Sequence, residues 1–506
     1  MKKITFYIMT LIIFSSCDDF LNKYPLSEPT SETFWTSADN AELWVNNLYN
    51  ALPNAESAYW DNWSDNAFCR TKPNEMGGEI ANGTYQTNSG IVFGKWNYST
   101  VRRCFEFFDK IETIPNIKPE IKATLEGQVY FILAYTYFDM ITLFRDIPLI
   151  QKVTSIDESD IPKSPKSEVL AYVLQVIDKA INCLPAQYPA SETGRATKGA
   201  ALALKAKILL FNERWAEAAA TAKELMDMNQ YELHPQFDEL FLKSFNNKTK
   251  EVILASQYAE LVKEHDVYRK FGIMVNADYS LVLPLPDLAN SFECTDGLPI
   301  TESPLYDPAE PDKNRDPRFY STFIYPYETY AGTTYDPLNS TNKAFSLTYL
   351  HYRKYVNDKT GTEGTSFVNW ILIRYAEVLL MYAEAKNEAN GPDGTIYDAL
   401  DLIRVRAGMP KIDRNKYNTK ESLREIIRNE RRIELAAEGF RYFDIIRWRI
   451  AEDVLNKEIF SFEIPDILPI QNIEKRIFDP KKHYVWPIPQ NAIDRAKNLE
   501  QHSEWK

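Results

Sequence analysis

Residues 59–70 combine aromatic rings with short polar side chains, which is the mixture that a sugar-binding site needs. The segment reads Tyr-Trp-Asp-Asn-Trp-Ser-Asp-Asn, and an arginine follows at position 70. Flat aromatic rings cover the apolar C–H faces of a pyranose, whereas carboxylate, amide and guanidinium groups bind its hydroxyls. We therefore predict ligand contacts by Trp60, Trp63, Asp65, Asn66 and Arg70, extended along the chain by Tyr85 and Trp96.

A second aromatic group lies in a part of the chain that shows little helical periodicity. Residues 236–365 are rich in Pro, Gly, Asp, Asn and Tyr, and long irregular segments on a rigid scaffold commonly carry binding residues. Tyr325 and Tyr330 flank Tyr327 there, with Tyr279 upstream. We predict ligand contacts by Tyr279 and Tyr327. For both aromatic groups the alternative is packing in a small core.

The residue patterns of common catalytic sites do not occur in the sequence. Its five histidines include no two with metal-ligand spacing, and there is no Gly-x-Ser-x-Gly elbow, P-loop or dinucleotide fingerprint. A glycosidase pair of carboxylates, separated by roughly 5 to 10 Å, stays open because sequence does not give distances. With 71 acidic residues such a pair arises by chance. We predict no enzyme activity, no cofactor and no metal.

Three further motifs are predicted to be structural. Residues 430–434 (Glu-Arg-Arg-Ile-Glu) alternate in charge, with arginines in reach on the same helix, which is typical of a helix laced by salt bridges. Residues 315–318 (Arg-Asp-Pro-Arg) predict a charged turn fixed by proline. Residues 486–489 (Trp-Pro-Ile-Pro) predict an extended tail packed against the scaffold.

Residues 1–16 have the features of a secretory signal. Lys2 and Lys3 precede an apolar run at 4–14, and small residues lead to Cys17. The run is shorter than the roughly 20 residues that cross a bilayer. Residues 14–17 resemble a bacterial lipobox, so we predict cleavage before Cys17 and lipidation of that residue. A plain signal peptide with an incidental cysteine is the alternative.

The composition argues against several partner classes. The chain has 58 basic and 71 acidic residues and a net charge of −13. Removal of Lys2 and Lys3 leaves 56 basic against 71 acidic residues, or −15. This acidic balance argues against nucleic acid and against electrostatic adhesion to anionic lipid. The other four cysteines are scattered without a CxxC pair, so neither a zinc site nor a redox motif is indicated.

Helical periodicity dominates outside the irregular segments. Residues 196–228 predict two helices with a tight turn near 212–214, because alanines three and four positions apart let helices approach closely. A second hairpin is predicted at 370–406. The predicted fold is therefore mostly α, a tetratricopeptide-like helical hairpin scaffold with an irregular, loop-rich ligand-facing region. Further helices are predicted at 37–51, 98–113, 119–143, 166–184 and 419–449.

Short motifs along the whole mature chain resemble the SusD/RagB family of lipoproteins from the Bacteroidetes. Each motif is weakly specific alone, but their common order makes the resemblance specific. They are Cys17-Asp18-Asp19-Phe20-Leu21, Phe34-Trp35, Arg195-Ala196-Thr197-Lys198-Gly199-Ala200, Phe292-Glu293-Cys294-Thr295-Asp296-Gly297, Asn314-Arg315-Asp316-Pro317-Arg318-Phe319, Ile373-Arg374-Tyr375-Ala376-Glu377, Asn429-Glu430-Arg431-Arg432, Glu438-Gly439-Phe440-Arg441 and Val485-Trp486-Pro487-Ile488-Pro489.

The resemblance implies a lipid-anchored protein on the outer face of the outer membrane. Its implied partner is a SusC-like TonB-dependent transporter, over which it closes as a hinged lid, and its implied cargo is a glycan. The family's ligand-facing loop falls at 59–70, and Trp96 resembles a family tryptophan that precedes a helix, which favours packing for that residue. A peptide-binding member of the same family and a surface glycoside hydrolase are the alternatives.

The expected organisation follows from the signal, the helices and the resemblance together. Residues 1–16 form the signal peptide. Residues 17–235 form an N-terminal helical part, and residues 236–506 form a C-terminal part that includes the irregular middle at 236–365.

Overall fold

Helices are the main regular secondary structure of the described residues. The computed structural model describes residues 34–71, 76–155, 158–273, 280–330, 332–338, 346–356 and 365–506. Within these ranges no helix is long and apolar enough to cross a membrane. The helices are α1 (Ala38–Leu48), α2 (Gly78–Ala81), α3 (Gly90–Lys95), α4 (Tyr98–Ile111), α5 (Pro119–Phe144), α6 (Lys166–Cys183), α7 (Lys198–Phe211), α8 (Trp215–Asp227), α9 (Val267–Phe271), α10 (Pro286–Ser291), α11 (Pro317–Thr322), α12 (Tyr375–Asn390), α13 (Gly394–Arg406), α14 (Lys420–Glu434), α15 (Arg441–Arg447), α16 (Ala451–Leu455) and α17 (Gln490–Ile493).

Helices α7 and α8 form the first predicted hairpin. The Thr197 hydroxyl accepts a hydrogen bond from the Ala200 amide at 3.2 Å and so caps the start of α7. The turn between the helices places Glu213 at a φ of 57°. Buried alanines on both helices permit close packing, and α8 packs in turn against α12. The predicted mostly α scaffold with hairpins is confirmed.

The second hairpin begins later than predicted. Residues Trp370–Arg374 form strand β8, which pairs antiparallel with β2 (Val252–Ser256), and helix α12 starts directly after it. The run Trp-Ile-Leu-Ile-Arg is rich in β-branched residues and almost wholly buried, which suits a strand covered on both faces. The sequence therefore predicted a helix for residues 370–374, where the structure has a strand.

The predicted helix at 419–449 is broken into α14 and α15. Ala437 and Gly439 have φ values of 62° and 79°, which no helix permits. Glu438, between them, points into the protein and accepts hydrogen bonds from Arg374 and Lys354. The buried contacts of Glu438 with Arg374 and Lys354 thus override the helical propensity of the sequence. We call residues 435–440 the α14–α15 loop.

The described strands are short and pair in twos. The pairs are β1 (Ala67–Cys69) with β3 (Val282–Pro284), β2 with β8, β4 (Phe323–Ile324) with β7 (His351–Tyr352), β5 (Thr329–Tyr330) with β6 (Thr333–Thr334), and β9 (Glu458–Phe460) with β10 (Asn472–Lys475), all antiparallel. Strand β3 also contacts β7, so these pairs join the irregular middle of the chain to residues 67–69.

Two large hydrophobic clusters and a small one around Ile445 and Leu455 lie in the part of the chain that the structure describes. The larger cluster joins residues of α1 and α4–α8 to residues of α12–α14. The second cluster lies in the irregular middle and contains the buried tyrosines 330, 335, 349, 352 and 355. Many aromatic side chains of that segment are therefore core residues. The predicted boundary between residues 235 and 236 stays a prediction.

A buried network of charges fastens the irregular middle to α14. Glu434 accepts hydrogen bonds from Arg318 at 2.9 Å and Arg374 at 2.6 Å. Glu430 accepts from Arg318 at 2.5 Å and Arg404 at 3.0 Å. The motif at 430–434 is structural, as predicted, but its glutamates pair with other segments and not within one helix. Burial opposes ionisation of Glu434, yet the surrounding arginines hold its pKa well below the usual range.

Candidate ligand-binding site

A cleft beside the 3₁₀ helix Ala55–Trp63 contains one of the predicted ligand residues. Its volume is about 200 Å³, and its wall combines the Trp60 ring with polar side chains from the same 3₁₀ helix, from the end of α3 and from α5. Asn54 and Glu56 come from the 3₁₀ helix and its cap, Lys95 and Asn97 surround the end of α3, and Tyr135 and Asp139 come from α5.

Trp60 is held in a fixed orientation. Its ring stacks on that of Trp63, with centroids 5.4 Å apart and an interplanar angle of 28°, and meets the edge of Phe443 at 5.4 Å. The Lys95 ammonium lies 3.8 Å from the Trp60 ring centroid and 3.2 Å from Asp139. The ammonium thus makes a cation–π contact with the ring. The half-buried ring is therefore backed by Trp63 and Phe443 and contacted by Lys95.

The α14–α15 loop supports Trp60 from behind. A Cβ at Gly439 would lie 2.7 Å from the Ser57 carbonyl oxygen and 3.4 Å from the Trp60 Cβ, so glycine permits a close approach of two backbones. Glu438, the neighbour of Gly439, accepts hydrogen bonds from Lys354 at 2.7 Å and from Arg374 at 2.7 and 2.8 Å. The position of the aromatic ring thus depends on the buried charge network.

The cleft can bind a polyhydroxylated ligand without breaking bonds. A ring with C–H faces can lie against Trp60, and amide, carboxylate and ammonium groups at the rim can exchange hydrogen bonds with its hydroxyls. No cluster of side chains suited to a metal ion occurs among the described residues.

Four of the other predicted ligand residues are buried, and direct ligand contact is corrected for them. Trp63 is 1% exposed beneath Trp60 and packs against Tyr442 and Trp486. Tyr85 is also 1% exposed and donates a hydrogen bond to the His483 carbonyl at 3.4 Å. Both rings serve as core, as the alternative reading of the segment allowed.

The polar pair Asp65 and Asn66 is occupied by arginines of the scaffold. Asp65 accepts hydrogen bonds from Arg441 at 2.8 and 2.9 Å, and Asn66 accepts one from Arg432 at 2.9 Å. Burial would raise the pKa of Asp65, but Arg432 and Arg441 hold it well below its usual range. These side chains fasten the segment after the 3₁₀ helix to α14 and α15.

Trp96, Arg70 and Tyr327 lie apart from the Trp60 cleft. Trp96 is half-buried against Phe144, with ring centroids 5.0 Å apart, which agrees with the packing role that the resemblance favoured. Arg70 follows β1, and its amide donates to the Leu281 carbonyl at 2.9 Å. The Tyr327 side chain is 39% exposed. Tyr279 and Cys17 lie outside the described residues.

We call strands β1, β3, β4 and β7, with the turns that carry Arg70 and Tyr327, the loop-rich face. Its strands connect in the order β1, β3, β7 and β4, and Tyr327 follows β4 by three residues. The Tyr327 amide donates to the Tyr335 carbonyl at 2.7 Å. This face is a second place where predicted ligand residues reach solvent.

Sequence reasoning missed Lys95, Tyr135 and Asp139. A signal for the last two exists, because they stand four residues apart in an otherwise apolar stretch of α5 and so share one helical face. Lys95 gives no such signal, since its contact with Trp60 depends on how α3 packs on the 3₁₀ helix.

Comparisons with known proteins agree with this architecture. A model of the SusD family matches residues 250–505. The chain belongs to the SusD family. A second family model, described as starch-binding and associating with the outer membrane, matches residues 19–210. The two matches fall on the two halves of the chain and together span most of it.

Relatives and solved structures match over nearly the full length. SusD-like protein P38 of Formosa agariphila is 28% identical over 493 residues, covering 89% of this chain and 92% of the relative. A SusD-like carbohydrate-binding protein from Bacteroides fragilis is 29% identical with a TM-score of 0.84, covering 92% of this chain and 100% of that one. Another SusD-like protein from B. fragilis is 27% identical with a TM-score of 0.82, covering 95% of this chain and 100% of that one.

Proposed function

We propose that this SusD-family protein is a cell-surface lipoprotein that binds a glycan at the Trp60 cleft. One observation carries the proposal: a half-buried tryptophan, rigidly backed by a second tryptophan, forms a wall of a cleft with amide and charged groups at its rim. Aromatic faces and hydroxyl-binding groups are the two components of a carbohydrate site.

The binding is proposed to be reversible capture without catalysis. Stacking on Trp60 and hydrogen bonds to the rim give modest affinity for one sugar unit. A polymer presents many such units, so rebinding and simultaneous contacts prolong its residence on the protein. Arg70 and Tyr327 on the loop-rich face would supply further contacts to a long chain.

Delivery to a transporter completes the proposed role. Lipid on Cys17 would hold the protein at the outer membrane, facing outward, and a SusC-like TonB-dependent transporter would receive the glycan. The SusD-family membership and the family description that names the outer membrane support this step. Closure of the protein over the transporter would trap the ligand before uptake.

A panel of polysaccharides tests the capture step. We expect the mature protein, prepared without lipid, to be retarded in native gels by one glycan class and to lose at least tenfold in affinity by calorimetry with Trp60→Ala. Trp44→Ala is the matched control, because Trp44 is also half-buried but does not line the cleft. Retardation by no glycan, with binding of peptides instead, contradicts the proposal.

Co-isolation from membranes tests the delivery step. We expect the wild-type protein to pull down a TonB-dependent transporter from outer-membrane extracts and to incorporate radiolabelled palmitate. Cys17→Ala should abolish the label and release the protein from the membrane. A Cys17→Ala protein that stays in the outer membrane with its label contradicts the proposed anchor.

A further inference from the structure

An apolar cavity lies behind Trp60, between α5, α7, β8 and the α14–α15 loop. Its volume is about 70 Å³. Phe131, Phe138, Leu204, Ile371 and Ile373 contribute to its wall, and all five are at most 5% exposed. Protein interiors are close-packed and contain few voids larger than a water molecule. An apolar cavity of this size is therefore unusual and suggests that a ligand group occupies it.

The cavity adjoins the Trp60 cleft. Six residues line both and so lie between them: Leu52, Pro53, Ser57, Trp60, Tyr135 and Asp139. A group attached to a sugar that lies against Trp60 would therefore sit next to the cavity.

Several polar side chains in the cavity wall already have partners in the protein. Thr142 donates a hydrogen bond to the Phe138 carbonyl at 2.7 Å, Ser57 donates to the Asn54 carbonyl at 2.7 Å, and Lys207 pairs with Glu377 at 2.8 Å. Glu438 is held by Arg374 and Lys354. A buried water needs about two to four polar partners, whereas apolar cavities stay dry and bind small apolar molecules.

We propose that this cavity takes a small apolar substituent of the glycan, of the class of an O-acetyl group, whose methyl end enters between Phe138 and Leu204. The proposal rests on the proposed function, because the sugar ring must lie against Trp60. The ligand would then be an acetylated polysaccharide. The cavity is too narrow for a sugar ring, so the backbone of the polymer stays in the cleft.

Matched pairs of polysaccharides test the assignment. The probes are acetylated xylan and acetylated glucomannan, each compared by calorimetry with its own alkali-deacetylated form. We expect the acetylated member of at least one pair to bind about tenfold more tightly, since burial of a two-carbon group is worth about one decade in affinity. Trp60→Ala should weaken both members of that pair.

Two cavity-filling variants locate the effect. Leu204→Phe fills the void from α7, and Thr142→Leu fills it from α5, so the test survives if one of them does not fold. Each should bring the acetylated and deacetylated affinities within about twofold of each other. Leu402→Phe is the control, because Leu402 is 53% exposed and lies outside the cavity lining.

The outcomes separate the two proposals. Equal affinity within every pair, with binding still lost in Trp60→Ala, overturns the substituent pocket and leaves the proposed function standing. An acetyl preference that persists in both folded filling variants overturns the location of the pocket. Binding of no polysaccharide at all overturns the proposed function and the pocket with it.

Discussion

The Trp60 cleft and the loop-rich face present aromatic side chains in opposite ways. Trp60 is half-buried, stacks on Trp63, and rests on a loop tied to buried arginines. Tyr327 is 39% exposed and has a φ of 67°, a conformation that non-glycine residues rarely adopt. The cleft is therefore preorganised by packing, whereas the turn at Tyr327 holds strain. A preorganised ring loses little entropy on binding and is expected to contribute more affinity.

The largest expected effect comes from removing the charge that supports the α14–α15 loop. Glu438→Gln removes the counter-charge that buried Lys354 shares with Arg374, while Arg374 keeps its pairs with Glu251 and Glu434. Breaking this buried pair should lower the free energy of unfolding by about 3–5 kcal/mol. The measurement is denaturant unfolding. Glu112→Gln is the control, because it breaks only an exposed pair with Lys122 and should give no measurable change. Equal stability of the two variants would remove the basis for calling the cleft preorganised.

Gly439→Ala tests the close approach behind Trp60. Gly439 and Gly408 have nearly equal φ values of 79° and 78°, a left-handed conformation that disfavours alanine at both. A Cβ at Gly439 would lie 2.7 Å from the Ser57 oxygen, whereas a Cβ at Gly408 would meet only a Pro317 side-chain atom at 3.6 Å. We expect Gly439→Ala to be less stable than Gly408→Ala by about 1–3 kcal/mol and to weaken glycan binding. Unchanged glycan affinity in a folded Gly439→Ala protein would argue against support of Trp60 by this loop.

Asp61 links the two regions and makes their connection sensitive to pH. Its carboxylate is fully buried in the segment that carries Trp60 and accepts a hydrogen bond at 3.4 Å from Tyr352 of the second core. Burial raises the pKa of Asp61 to about 7, against a partial lowering by the Ala437 amide and Lys354. Between about pH 4 and pH 7 the folded state therefore retains a proton that the unfolded state releases.

The titration of Asp61 makes the free energy of unfolding fall as the pH rises. Stability from this group is present at low pH and is lost as pH rises to about 7, at a slope of at most about 1.4 kcal/mol per pH unit. Asp61→Asn cannot titrate and should remove this slope while raising stability above pH 7. Unfolding free energies of both proteins at pH 5 and pH 7.5 measure it. Identical changes in the two proteins would contradict the assignment to Asp61.

The smallest expected effect concerns the strained turn. Replacing Tyr327 by glycine and by alanine removes the same ring, but only glycine accepts a φ of 67° without strain. Tyr327→Gly should therefore be more stable than Tyr327→Ala by about 1 kcal/mol. Thermal unfolding of the two variants measures the difference. An alanine variant at least as stable as the glycine variant would show that the turn relaxes and holds no strain.

Much of the scaffold could be predicted from local sequence because helices depend on near neighbours. The hairpin α7–α8 and the long helix α5 follow from alanine spacing and apolar periodicity. The break between α14 and α15 could not be predicted, since it depends on Glu438 meeting Arg374 and Lys354, which lie 64 and 84 residues away in the chain.

The candidate site was predictable only in part. Sequence composition located the aromatic segment, but it could not distinguish Trp60 from Trp63, three positions apart on one short helix. Which ring reaches the cleft depends on Tyr442, Phe443 and Trp486, all distant in sequence. The same holds for Asp65, whose carboxylate looks like a sugar ligand until Arg441 is placed beside it.

The two regions are best compared by the glycan affinities of Trp60→Ala and Tyr327→Ala, measured side by side by calorimetry on the polysaccharide that retards the wild type most. We predict a loss of at least tenfold for Trp60→Ala and a loss of less than about threefold for Tyr327→Ala, because only the first ring is preorganised. A larger loss for Tyr327→Ala, with Trp60→Ala binding like the wild type, would contradict this account and place the ligand on the loop-rich face.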